Sequence, residues 1–365
     1  MKVTVVVGAR PNFMKAAPVI SALKRRDGID VEVVHTGQHY DERMSDAFFR
    51  DLGIPEPTAN LAVGSQSHAR QTAEVLTRFE EFLRNTRSDL AVVAGDVNST
   101  IAAALAAVKL LVPVAHIEAG LRSFDRTMPE EINRILTDSI SALLFVTEPS
   151  GLRHLQREGI PAERVHYVGN SMIDTLLRMK DRALGMPLPP GIQAPFGVMT
   201  LHRPSNVDSP AVLAGILDAL AGLCRDLPLL WPIHPRSEKN LEEFGLIGRA
   251  RGIPRLHLLP PCGYLEFLAM MARARLILTD SGGIQEEALV LRVPVITLRD
   301  NTERPITVEC GGNLLCGSEP SRIRAAARTM MDLDPAEFRI PEGWDGRAGE
   351  RIADVIARFL KDPWL

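Results

Sequence analysis

Aromatic side chains are scarce in this sequence, at 5% of 365 residues, with three tryptophans and three tyrosines. That is too few for the stacking platforms that hold single-stranded nucleic acid. Charge of one sign is also lacking: 42 basic and 45 acidic residues leave a net charge of −3. No basic footprint exists for a phosphate backbone or an acidic membrane surface. The four cysteines, Cys224, Cys262, Cys310 and Cys316, all lie in the second half and form no Cys-x-x-Cys pair. They read as buried or idle thiols in a reducing compartment.

Long apolar runs are missing too. Val3–Val7 near the start is too short for a secretory signal. The nearest approach to a membrane span, residues 101–117, is interrupted by Lys109 and split by Pro113 into an alanine-rich helix and a buried strand. A cytoplasmic location is expected. No Gly-x-Gly-x-x-Gly follows a strand, which argues against a nicotinamide or flavin cofactor. The nine histidines form no metal constellation: His35 and His39 are four apart, but the intervening Thr36-Gly37-Gln38 reads as a strand end. No cofactor or metal is called for. Tandem repeats and low-complexity segments are absent as well.

What is present is alternation. Val3–Val7, Val31–Thr36, Leu90–Ala94, Val114–Ile117, Leu143–Thr147 and Val165–Val168 read as buried parallel strands. Stretches with helical spacing, such as Ala73-Leu76-Phe79-Phe82-Leu83, separate them. Gly185-Met186-Pro187-Leu188-Pro189-Pro190-Gly191 reads as a linker. The pattern then resumes with Gly197–Leu201, Leu229–Ile233, Leu256–Leu259, Leu276–Thr279 and Pro294–Leu298. The predicted fold class is α/β, with two Rossmann-like doubly wound domains facing across a cleft. The expected boundaries are 1–170 and 171–348, with a last helix at about 349–362 packing back on the first domain.

In such sheets ligands lie beyond the carboxyl ends of the strands, so the residues that follow each strand carry the chemistry. Thr279-Asp280-Ser281-Gly282-Gly283 turns a strand into a helix, leaving backbone N–H groups free for a phosphate or diphosphate. Glu287, one to two turns on, suits a pair of sugar hydroxyls. In the first half Arg10 and Lys15 bracket a helix started by Pro11. They read as phosphate or substrate contacts, or else as solvated charges. Asp96 and Glu118 follow consecutive strands and so reach one rim. They form a candidate acid/base pair, with helix capping as the structural alternative. Glu130 and Arg134 share a helix face, for substrate or simply for an i, i+4 ion pair. His202 and His234 each follow a strand of the second half.

Taken together, these segments resemble the non-hydrolysing UDP-N-acetylglucosamine 2-epimerases over essentially the whole chain. The resemblance rests on Gly8-Ala9-Arg10-Pro11 with Lys15, His35-Thr36-Gly37-Gln38-His39, Gly95-Asp96-Val97-Asn98-Ser99-Thr100 and His116-Ile117-Glu118-Ala119-Gly120-Leu121-Arg122. Pro129-Glu130-Glu131-Ile132-Asn133-Arg134, Thr200-Leu201-His202-Arg203, Asp280–Glu287 and Arg299-Asp300-Asn301-Thr302-Glu303-Arg304-Pro305 complete it. It implies a GT-B-like glycosyltransferase fold, interconversion of UDP-GlcNAc and UDP-ManNAc for polysaccharide or cell-envelope synthesis, and a homodimer. Arg10, Lys15, Asp96, Glu118, Glu130, Arg134 and His202 resemble the reaction-site set. His234, Phe267, Ser281, Gly282, Gly283, Glu287 and Arg304 resemble nucleotide contacts, with Glu287 on the ribose.

Gln38, His39, Arg70 and Gln71 resemble part of an activator site for a second UDP-GlcNAc, although Asp41 stands where such members can carry Gln. Cys262 and Ile306 depart from the polar or acidic residues frequent in relatives. A 2-epimerase for UDP-2,3-diacetamido-glucuronic acid is the runner-up, since Gly37–Asp41 and Leu121–Phe124 look similar there; Glu286 and Arg304 favour plain UDP-GlcNAc. A hydrolysing epimerase, an acceptor-dependent glycosyltransferase and a non-catalytic nucleotide-sugar sensor are further alternatives.

Overall fold

The computed structural model describes residues 1–37 and 52–362, with the backbone alone for Arg10. The chain divides into two compact units, Met1–Thr175 with Glu342–Leu365, and Leu176–Pro341.

The first unit holds β1 (Lys2–Val7), β2 (Asp30–His35), β3 (Ala59–Asn60), β4 (Leu90–Ala94), β5 (Val114–Ala119), β6 (Leu143–Val146) and β7 (Val165–Tyr167). Among the described residues they form one parallel sheet in the order β3-β2-β1-β4-β5-β6-β7. Its central strands are buried along their length because helices cover both faces: every residue of β4 and β5 is buried, His116 and Glu118 included. Strand order reverses between β1 and β4. That reversal opens a crevice beyond their carboxyl ends, flanked by Gly8-Ala9 and Gly95-Asp96.

The second unit repeats the plan with β8 (Gly197–Thr200), β9 (Leu229–Pro232), β10 (Leu256–Leu259), β11 (Leu276–Thr279), β12 (Val295–Thr297) and β13 (Asn313–Leu315). Their order, β10-β9-β8-β11-β12-β13, puts the reversal between β8 and β11. The core of this unit is built around Trp231, Leu217, Leu220, Leu276 and Leu278. Each unit is thus a Rossmann-like doubly wound domain.

The sequence reading omits β3 and β13, which are two and three residues long and too short for a periodic signal. The crossing between units also differs from the expected linker. It falls inside the helix Ser171–Leu184, and Gly185–Gly191 lies wholly within the second unit. A proline-rich surface loop and an interdomain linker share one composition, so composition could not separate them. The return falls at Pro341/Glu342, ahead of the expected 348/349.

The helix Ala348–Lys361 belongs to the first unit and packs on the helix Arg10–Leu23. Asp174 accepts the N–H groups of Ala348 and Gly349 at 3.1 and 2.7 Å, capping its start. A side chain at Gly349 would lie 2.8 Å from the Pro18 backbone, so only glycine allows this approach. Arg26 pairs with Glu350 and Asp354 at 2.9 and 2.7 Å on the same seam. Among the described residues no helix is long and apolar enough to cross a membrane.

Candidate active site

In the first unit the crevice is lined by charges that the fold holds in pairs. Lys15, one turn into the helix after β1, is buried and forms an ion pair with Glu118. This rules out the solvated-charge reading of Lys15. Asn12 secures the same turn: its side chain accepts the Ala9 N–H at 3.0 Å and donates to the Ala94 carbonyl at 2.6 Å. Gly95 makes the arrangement possible. Its φ is +67°, and a Cβ there would lie 3.0 Å from Lys15 Nζ and 3.4 Å from Glu118 Oε2.

Glu118 does not follow β5, as the sequence suggests, but lies inside it. The register with β6 shifts between Ile117 and Ala119, and Glu118 adopts φ +73°. A left-handed non-glycine residue in a strand is strained, and such bulges re-aim a side chain. Asp96 is no helix cap: Val97 occupies that position before Asn98–Lys109. Its carboxylate instead receives Arg134 at 2.7 Å, and the Asn133 amide donates to its carbonyl at 2.9 Å.

Arg134 also meets Glu131 at 3.2 Å, three residues back, so its ion partners are Asp96 and Glu131 rather than Glu130. Glu131 is buried and structural, accepting Ser123 N, Ser123 Oγ and Phe124 N at 2.8–2.9 Å. Glu130 stands half-buried on the first turn of Pro129–Ile140. The side chain of Arg10, and Gln38, His39 and Asp41, lie outside the described residues. Arg70 is exposed. Gln71 is buried, donating to Gly64 O at 3.0 Å and accepting the Asn98 amide at 2.8 Å.

The second unit gathers its set at the β8/β11 reversal. Thr200 pairs in register with Thr279, which sets His202 beside Asp280. Asp280 is fully buried and meets His202 Nδ1 at 2.8 Å. It also accepts His202 N at 3.0 Å, Arg203 N at 2.9 Å and Asn206 Nδ2 at 3.1 Å. Burial alone would raise its pKa. The His202 ring and the N–H groups of His202 and Arg203 outweigh that and hold the carboxyl below its ordinary value. His202 is thereby fixed in orientation, its ring 5.7 Å from that of His234 between centroids. His234 has a structural task as well, since its Nδ1 caps the helix Pro235–Glu243 by accepting Arg236 N at 3.2 Å.

Ser281 precedes the helix Gly282–Leu291 and makes no side-chain cap, so the first turn presents uncapped N–H donors. A Cβ on Gly282 would lie 2.7 Å from Glu303 Oε1, hence the glycine. Glu287, nearly buried, accepts the Tyr264 hydroxyl at 2.7 Å. Phe267, half-buried, lies on the same helix as Tyr264, one turn on. Arg304 is buried and paired with Glu286 at 3.0 Å. Glu303 meets Arg299 at 2.8 Å. Cys224 and Cys316 are buried, which pushes their thiols up to about 11 and about 12.

Sequence reasoning missed Asp280, Tyr264, Asn133 and Glu303 as parts of these constellations. Asp280 was the findable one, because it is the first residue after β11 at the strand-order reversal. Tyr264 gave no signal, since its contact with Glu287 spans 23 residues.

Two doubly wound domains, each with charged residues at its strand-order reversal, define the GT-B-like fold class. The profile of the UDP-N-acetylglucosamine 2-epimerase family matches residues 21–357. The chain belongs to that family, whose members are isomerases. A Methanocaldococcus jannaschii UDP-N-acetylglucosamine 2-epimerase is 42% identical, covering 98% of this chain and 99% of its own. A Pseudomonas aeruginosa UDP-2,3-diacetamido-2,3-dideoxy-D-glucuronate 2-epimerase is 40% identical, covering 98% of this chain and all of its own. The crystal structure of the M. jannaschii UDP-GlcNAc 2-epimerase in complex with UDP-GlcNAc and UDP matches with a TM-score of 0.90 at 41% identity, covering 98% of this chain and 100% of that one.

Proposed function

We propose that this protein interconverts UDP-N-acetylglucosamine and UDP-N-acetylmannosamine by eliminating and re-adding UDP. The observation that carries the reading is the pair of strand-end carboxylates, Asp96 held by Arg134 and Glu118 held by Lys15, in a chain of this family. The C2 proton of the sugar is barely acidic, having no adjacent carbonyl. Loosening of the C1–O bond develops oxocarbenium-like charge, which acidifies C2–H. A carboxylate takes that proton, the C–H electrons form the C1–C2 double bond, and UDP leaves with the C1–O pair. The products are 2-acetamidoglucal and UDP. Reversal with a proton delivered to the opposite face of C2 inverts that centre.

Asp96, Glu118 and Glu130 share the proton handling, and Arg134 and Lys15 hold the first two in place as ion-pair partners. His202, fixed by Asp280, together with Arg10 and the N–H groups after Ser281, stabilises the departing diphosphate. Gly282 and Gly283 let it approach the backbone. Glu287 takes the ribose hydroxyls, and His234, Phe267 and Arg304 contact the nucleotide. Arg70 and Gln71, with Gln38 and His39, belong to an activator site. A cytoplasmic homodimer completes the reading, on the strength of the family resemblance; light scattering measures the assembly.

Incubation with UDP-GlcNAc in heavy water, followed by NMR, tests the proposal. Deuterium at C2 with UDP-ManNAc is the expected result. Free ManNAc with UDP means a hydrolysing enzyme, and no reaction without an acceptor sinks the epimerase reading. A second reading has one specific support: the P. aeruginosa relative names a diacetamido-glucuronate substrate at nearly the same identity. Faster turnover of that nucleotide sugar in the same assay would move the assignment there.

A further inference from the structure

We propose that His116, acting with Asp138, is a positioning residue that sets the places of Asp96 and Glu118. The step it serves is the C2 proton transfer, so the inference rests on the function proposed above. His116 and Asp138 are both fully buried, beneath the rim rather than on it. His116 is the third residue of β5, in register with Val93 of β4. Its Nε2 lies 2.8 Å from the Gly95 carbonyl, the residue before Asp96. Its Nδ1 lies 2.7 Å from Asp138 Oδ1. The second oxygen of Asp138 accepts the Gly120 N–H at 3.0 Å, two residues after Glu118.

A single imidazole–carboxylate pair therefore ties together the two turns that carry the candidate acid and base. Gly95 and Gly120 stand at φ +67° and +82°, and Glu118 between the paired positions at +73°. The two glycines adopt this backbone freely, but Glu118 does not, and a non-glycine residue stays there only where its surroundings over-determine it. The clamp is anchored on its far side by Arg122, 2.7 Å from both Asp138 and Glu158. On the opposite edge of Gly120, His154 Nδ1 meets the Gly120 carbonyl at 2.9 Å.

Stability does not explain such a cluster, since an apolar replacement of similar volume commonly matches a buried ionic pair. Its placement does: displacing a reacting group by about 1 Å can cost about 10²-fold in rate. Asp138 stays ionised in spite of its burial, because the His116 ring and Arg122 hold it below its ordinary value.

The test compares His116→Gln, which keeps a donor for the Gly95 carbonyl, with His116→Ala, which removes both bonds. Asp138→Asn stands in should His116→Ala not fold. The measurements are kcat and KM for UDP-GlcNAc, UDP affinity, and hydrogen exchange of the Gly120 amide. We expect kcat to fall about 100-fold in His116→Ala or Asp138→Asn and about tenfold in His116→Gln. KM and UDP affinity should stay within about threefold, and Gly120 exchange should accelerate in the same order. Wild-type kcat in His116→Ala or in both other variants, a KM rise that matches the kcat loss, or unchanged Gly120 exchange overturns the proposal. Failure of the epimerase reading looks different: the wild type then shows no exchange at C2, while Gly120 protection still decides whether the clamp exists.

Discussion

Arg134 contacts Asp96 at 2.7 Å and Glu131 at 3.2 Å, so one buried guanidinium joins a rim carboxylate to the carboxylate that shapes the loop at Ser123 and Phe124. The rim of the first unit is built on this link. The Arg134 side chain is buried, so this link fixes where the Asp96 carboxylate stands on the rim. Replacing Asp96 by Asn should lower kcat by about 10²- to 10⁴-fold and leave UDP affinity nearly unchanged. Full retention of C2 hydrogen exchange in that variant would remove Asp96 from the proton pathway.

Asp280 fixes the ring of His202 and two backbone N–H groups at once. Asp280→Asn should destabilise the protein by about 2 kcal/mol and weaken UDP binding, because a buried acceptor is lost where four donors converge. The depressed pKa gives the sign of the pH effect. The stability Asp280 contributes is present above its unfolded value near 3.8 and is lost as pH falls through the lower folded value. Acid unfolding of the variant should accordingly be less steep than that of the wild type.

Asp174 behaves in the opposite sense. Burial, its largest influence, pushes its carboxyl from 3.8 up to about 6, despite the two N–H groups it accepts from the last helix. The folded protein thus holds that proton more tightly than the unfolded chain. This contribution is complete below about pH 4 and disappears as pH rises past about 6, a swing of up to about 3 kcal/mol. The melting temperature of Asp174→Asn minus that of the wild type should increase between pH 4 and pH 7. A flat difference contradicts the assignment.

Tyr264 and Glu287 make a shorter-range case. Removing the hydroxyl in Tyr264→Phe leaves Glu287 without the 2.7 Å bond that orients it. UDP should bind about fivefold more weakly, measurable by calorimetry, with kcat little changed at saturation.

At Gly282 the limit is steric. An alanine there places its Cβ 2.7 Å from Glu303 Oε1, and Glu303 is held by Arg299. Gly282→Ala should lower UDP affinity by about tenfold or more while the fold survives, since the helix start can no longer meet a diphosphate closely.

Much of this molecule is written in its order of residues. Most buried strands read as short apolar runs, and Gly95-Asp96 and the Asp280-Ser281-Gly282-Gly283 turn announce themselves because they come straight after such runs. The sequence by itself determined two doubly wound sheets, the residues at their strand ends and the family. Tertiary structure alone decided which charges meet. Lys15 finds Glu118 across 103 residues, His202 finds Asp280 across 78, and Arg134 prefers Asp96 to the carboxylate four positions away. The boundary at Thr175, the bulge at Glu118 and the clamp of His116 belong to the same category. The physical reason is one of range. Periodicity and turn chemistry act within a few residues, whereas electrostatic partners are chosen by strand order and register, which the chain settles only when the sheet closes.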